Sequence, residues 1–99
     1  KYELVGGSIH QFRDGRKAAV YVYRGENNDF VICEMYLGTP SELPKDAVLR
    51  ENKNKSFHIY KRNGLTSVFW PEDKVMCVLV SDIDPERIVQ LAFAKANPG

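Results

Sequence analysis

Short runs of apolar and β-branched residues, punctuated by Gly, Asn, Asp and Pro, occupy the chain up to about position 81, after which the apolar spacing becomes helical. Leu4 to Phe12 reads as a first strand, interrupted near its start by Gly6 and Gly7, where a bulge or a close backbone approach is expected. Asp14-Gly15 supplies a hairpin turn that accepts positive φ. Lys17 to Tyr23 is a second strand, Gly25 to Asn28 a turn, and Asp29 to Leu37 a third strand rich in Phe, Val, Ile, Met and Tyr. Three consecutive strands joined by short turns predict a meander.

From Gly38 to Lys53 the periodicity fails, Pro40 and Pro44 block regular pairing, and polar residues dominate, so a long loop with at most one helical turn is expected. A fourth strand, Lys55 to Arg62, meets a fifth, Leu65 to Trp70, across Asn63-Gly64, the strongest hairpin signal in the chain. Pro71 to Lys74 turns into a sixth strand, Val75 to Ser81. The last element is a helix with a well-marked start: Asp84 as N-cap, Pro85 in the first helical position and Glu86 beside the positive end of the dipole. Ile83 before the cap suits a hydrophobic staple with Ile88; Ile88, Leu91 and Ala92, with Val89 or Phe93 beside them, form the inward stripe, and Asn97-Pro98-Gly99 stops the helix. The predicted fold is α+β: one domain over residues 1–99, a six-stranded, mostly antiparallel meander with the helix packed on one face. Strands one and six would be its edges, open to pairing with a partner.

Side-chain parity extends this to surfaces, because hairpin partners point to the same side of a sheet. Pairing Tyr23 with Phe30 groups Val20, Val22, Val31, Cys33 and Met35 on one side and leaves Tyr21, Tyr23, Phe30, Ile32 and Tyr36 on the other. In the second half, Phe57, Ile59, Val68, Trp70, Val75, Cys77 and Leu79 share a face, opposed by His58, Tyr60, Ser67, Phe69, Met76 and Val78; the first set is the purer apolar one and belongs under the helix. The aromatic set Tyr21, Tyr23, Phe30, Ile32 and Tyr36 reads either as side chains that simply fit a pleated surface or as a contact surface for a partner or a second copy.

Composition narrows the function classes. With 43% hydrophobic against 27% charged residues the chain is of globular type, and 14 basic residues balanced by 13 acidic ones leave a formal charge of +1 with no basic block, so no nucleic-acid partner is expected. The densest basic run, Lys53, Lys55, Lys61 and Arg62, is broken by Asn52, Asn54 and a strand. No segment approaches the roughly 20 apolar residues of a membrane span, and Lys-Tyr-Glu-Leu-Val-Gly-Gly lacks the apolar core of a signal peptide. An opening without Met fits a fragment whose membrane or targeting segment lies upstream.

Candidate chemistry is sparse. Cys33 and Cys77 are either a disulfide or two buried thiols; in a six-strand meander they stand about 14 Å apart, which favours free thiols. His10, His58 and the cysteines show no metal-ligand spacing, so neither a metal nor a haem is expected. Ser81-Asp82 sits where a strand hands over to a capped helix, a place where polar groups satisfy backbone, and no phosphate-binding glycine loop is present. No catalytic, cofactor or metal residues are assigned, and an enzyme is not expected.

Leu4-Val5-Gly6-Gly7, then Gly15-Arg16-Lys17-Ala18-Ala19-Val20-Tyr21-Val22-Tyr23-Arg24, resembles the start of the periplasmic domain of membrane-anchored anti-sigma factors of the extracytoplasmic-function type. Gly64, Val68 and Trp70, then Val80-Ser81-Asp82-Ile83 leading to Glu86 and Leu91-Ala92, is similar to that family's Trp-containing strand, Val-Ser-Asp-Leu corner and closing helix. The resemblance spans nearly the whole chain. It implies a sensor-like domain on the periplasmic side of the inner membrane that controls release of a sigma factor through contacts with a protein outside the cytoplasm, such as a protease or a signalling protein. The transmembrane helix and the cytoplasmic part that holds the sigma factor would lie upstream. The alternative is a periplasmic small-molecule-binding domain that uses the aromatic face or a pocket under the long loop.

Overall fold

A computed structural model describes residues 2–98 of the chain, which leaves Gly99 of the expected helix stop outside the described residues. Seven strands form one antiparallel sheet: β1 (Glu3–Gln11), β2 (Lys17–Arg24), β3 (Phe30–Leu37), β4 (Val48–Asn52), β5 (Lys55–Arg62), β6 (Leu65–Glu72) and β7 (Val75–Ser81), followed by α1 (Pro85–Ala96). Their order across the sheet is β1-β2-β3-β7-β6-β5-β4. Two meanders, β1 to β3 and β4 to β7, are therefore sewn together along a β3–β7 seam, and the chain between them crosses from the middle of the sheet to its far edge.

This corrects the expected six-strand meander in two ways. The polar segment 38–53 contains a strand, β4, which pairs with β5 from Val48 opposite Ile59 to Asn52 opposite Lys55. Its hairpin closes through Lys53 (φ 52°) and Asn54 (φ 68°), two successive left-handed residues that make the tight turn without a glycine. The last strand is not an edge: β7 lies between β3 and β6, and the edges are β1 and β4. Two other turns follow the sequence, whereas β6 runs on through Pro71 and Glu72, so that only Asp73 (φ 61°) and Lys74 separate it from β7. Asn63 (φ 55°) and Gly64 (φ 80°) close β5 on β6, Gly15 (φ 92°) closes β1 on β2, and the register of β1 slips between Leu4 and Gly6, the expected bulge.

One sheet face carries the helix. Val31, Cys33, Phe57, Ile59, Val68, Trp70, Cys77 and Leu79 point toward it and are buried with Ile83, Ile88, Val89, Ala92 and Ala96. Trp70 is 1% exposed and Phe57 is fully buried, their rings 5.5 Å apart, as the parity argument required. The helix is pinned at both ends. Asp84 accepts the Arg87 N–H at 3.3 Å, Arg50 of the edge strand β4 bridges to Glu86 at 2.8 Å, and Lys55 Nζ donates to the Ala96 carbonyl at 2.7 Å, placing a cation on the negative end of the dipole. Ser81 locks the corner before the helix: its hydroxyl donates to the Phe30 carbonyl (2.6 Å) and accepts the Ile83 N–H (3.2 Å).

The opposite face has no helix. The crossing segment runs over it, with a 3₁₀ turn at Pro40–Glu42 and a buried Leu43. It is tied down by the Gly38 N–H to Lys74 O (3.2 Å), by Tyr60 Oη to Pro44 O (2.6 Å) and by Arg16 to Glu42 (2.9 Å). Met76 and Val78 on this face of the central strand are buried, as is Leu43 of the crossing segment.

Candidate functional site

The five residues expected on one aromatic surface divide between the two faces. Tyr23 pairs with Val31 and Arg24 with Phe30, so the β2–β3 connection is the five-residue loop 25–29, closed by the Gly25 N–H to Asp29 O (2.8 Å) with Asn28 at φ 59°. The expected Tyr23–Phe30 pairing is off by one residue, and a slip of one inverts every side chain on the strand. Tyr21 and Tyr23 consequently face the helix and pack, half-buried, against the core cluster, while Val20 and Val22 lie on the loop-covered face. Phe30, Ile32 and Tyr36 lie on that loop-covered face too. Tyr36 is engaged there by Phe12 (ring centroids 5.3 Å apart) and by the Arg16 guanidinium. Phe30 is 49% and Ile32 39% exposed, so these two remain open to a partner.

Arg16 organises the neighbourhood, which sequence reading did not anticipate. Its guanidinium donates to Asp14 (2.9 Å), to the Leu37 carbonyl (2.7 Å) and to Glu42 (2.9 Å), and stands 5.7 Å from the Phe12 and Tyr36 rings. One side chain thus links the first hairpin, the exit of β3 and the crossing segment. The Arg16 backbone N–H and guanidinium together hold the Asp14 carboxyl below its usual range. The only sequence signal was the Gly15-Arg16 turn within the family resemblance; the partners are too far along the chain to be read from spacing.

Strand order also changes the cysteine picture. Met35 stands directly opposite Cys77 on the β3–β7 ladder, and Cys33, opposite Leu79, is diagonal to Cys77 on the same face. The expected separation of about 14 Å assumed three intervening strand spacings, and here the two strands are adjacent. Both thiols are free and buried. Burial pushes the Cys77 thiol up to about 11 and raises Cys33 as well. His58 lies across the sheet from Cys77, opposite Phe69 on the loop-covered face, with its basicity lowered by burial. Among the described residues no group of three or more His, Cys, Asp and Glu is placed to share a metal ion.

Lys55 of the basic run is committed to Glu72 (2.7 Å) and to the helix end, and Arg62 stands 3.8 Å from Asp46, so these cations serve the fold locally. A cavity of about 220 Å³ opens between α1 and β2, β3 and β7, bounded by Tyr2, Tyr23, Val31, Leu79, Leu91 and Lys95. Another of about 240 Å³ lies where the crossing segment meets β5. No described helix is long and apolar enough to cross a membrane. Comparison with protein-family models, with curated proteins and with solved structures finds no match to this chain.

Proposed function

We propose that this domain is the signal-input part of a membrane-anchored anti-sigma factor, governing release of a sigma factor through protein contacts outside the cytoplasm. The observation that supports this reading is where the residues of the family resemblance fall. Gly6 lies at the bulge that skews the edge strand, Arg16 joins the first hairpin to the crossing segment, Trp70 fills the core, and Ser81 bonds the seam to the helix entry. A pattern whose members are joints and core of one fold is the mark of a shared scaffold; shared chemistry would instead gather its residues in one cleft.

In this reading the chain upstream of Lys1 carries a run of about 20 apolar residues and, before it, the part that binds the sigma factor. The test is direct. In the full-length protein, deletion of residues 2–98 is expected to uncouple a sigma-driven reporter from its inducing signal while the anchored remainder still binds the sigma factor. A coding sequence with no apolar span upstream, or a deletion that leaves induction unchanged, would sink the proposal.

A further inference from the structure

Three sulfur-bearing residues share the helix-covered face on adjacent strands. Cys33 and Met35 alternate along β3, about 7 Å apart along the strand, and both point toward the helix. Met35 is the direct ladder partner of Cys77, a position in which Cβ atoms stand about 4.5–5.5 Å apart. Cys33 and Cys77 form a diagonal pair with Cβ atoms somewhat under about 7–8 Å apart, close enough for the charge of Cys33 to act on the Cys77 thiol. Both cysteines belong to the buried cluster and Met35 packs against it from the partly open side. Ala92 and Ala96 of the helix belong to the same buried cluster.

We propose that Cys33, Met35 and Cys77 form a three-sulfur site for a soft monovalent cation of the Cu(I) class. Thiolate and thioether donors together select such ions over harder ones, and metal–sulfur bonds of about 2.3 Å need the sulfurs to approach within about 4 Å, a short side-chain lean from these positions. No harder donor competes. His58 and Glu34 project from the other face, and Glu72, the carboxylate near Cys77, already accepts from Lys55 (2.7 Å) and from Trp70 Nε1 (3.1 Å). Binding forms two metal–thiolate bonds and one metal–thioether bond, breaks two S–H bonds and releases two protons, with no electron transferred. The bound site carries one net negative charge, and Lys95, whose charge reaches both thiols, stands ready to offset it. The cavity of about 220 Å³ lies beside the site: its walls include Val31, two residues from Cys33 along the strand, Leu79, its ladder partner, and Lys95. The assignment is independent of the anti-sigma reading.

The test titrates the reduced protein anaerobically with Cu(I) against a chromogenic Cu(I) chelator and counts scatterers by X-ray absorption. One ion per chain with about three sulfur neighbours near 2.3 Å is expected. Since both thiols are neutral at pH 7, apparent affinity should climb by about two log units per pH unit around neutrality. Met35→Leu, at a half-buried position that tolerates an isosteric change, should weaken binding about tenfold and reduce the sulfur count to two; Cys33→Ser and Cys77→Ser should each cost about 100-fold or more. Circular dichroism separates loss of ligand from loss of fold. Less than one ion per reduced chain, a sulfur count unchanged in Met35→Leu, or wild-type affinity in a folded serine variant would each overturn the proposal.

Discussion

The second meander and the helix contribute nearly all of the buried cluster, from Phe57 to Ala96, whereas β1 has no buried residue among those described and the first meander adds only Val31 and Cys33. The first meander is thus a thin sheet attached along the β3–β7 seam, with the partly buried Tyr21, Tyr23 and Met35 leaning against a core that belongs to the other half. The helix is held by Arg50 and Lys55 of the second meander, and the first is fastened by the seam, Ser81, Arg16 and two exposed bonds from Arg87 of the helix, to Tyr2 Oη (3.0 Å) and to Asp29 (3.5 Å). Regions with few buried apolar contacts open at lower free energy than the core. In a domain that transmits a signal, the attached meander is where a partner could shift the conformation at low cost.

The largest loss of stability is expected at the centre of the second half. Trp70→Ala removes a ring that is 1% exposed and packed on Phe57, and should cost about 3–5 kcal/mol, read from the denaturant midpoint. A smaller loss would mean that the core is shared more evenly between the halves. Ser81→Ala addresses the seam itself: it leaves the Phe30 carbonyl and the Ile83 N–H without their partner and should cost about 1–3 kcal/mol. In hydrogen exchange the same variant should speed the β1 to β3 amides more than those of β6; equal acceleration everywhere would show that the halves open as one. Asp84→Ala removes only the N-cap and should cost about 1 kcal/mol, felt in the helix and leaving β1 to β3 protection unchanged.

How far these regions were legible in the sequence differs as well. β5, β6, β7 and the helix follow from alternation, Asn63-Gly64 and the Asp84-Pro85 start, because each signal is local and strong. β4 was unreadable for a physical reason: an edge strand with Arg50, Glu51 and Asn52 shows no apolar alternation, and its Lys53-Asn54 turn adopts the left-handed region without the glycine that advertises it. The Tyr21 and Tyr23 placement failed on a single residue of loop length, since nothing in Gly25 to Asp29 fixes whether Tyr23 or Arg24 meets Phe30. Strand order failed because turns specify only sequential neighbours. The β3–β7 pairing, which brings Cys33, Met35 and Cys77 together, arises from a crossing segment whose anchors, Arg16 to Glu42 and Tyr60 to Pro44, join residues far apart in the chain.

The smallest expected effect on stability carries the largest consequence for function. Phe30 and Ile32 are exposed on the loop-covered face of the attached meander, so changing both to Ser should alter stability by less than about 0.5 kcal/mol each. If a protein partner reads this meander, loss of two apolar anchors can cost about 2 kcal/mol or more of binding, and a sigma-driven reporter in the full-length protein should shift while circular dichroism of the domain stays native. The control is built into the strand: Tyr21→Ser and Tyr23→Ser sit on the helix side, half-buried against the core, and should lower the denaturant midpoint measurably. A reporter that responds to the tyrosine pair only in proportion to lost stability, but to Phe30 and Ile32 with the fold intact, places the contact on the loop-covered face. A reporter indifferent to Phe30 and Ile32 removes that face from the signal path, and the exposed backbone of β1, the unpaired edge of the same meander, becomes the next surface to mutate.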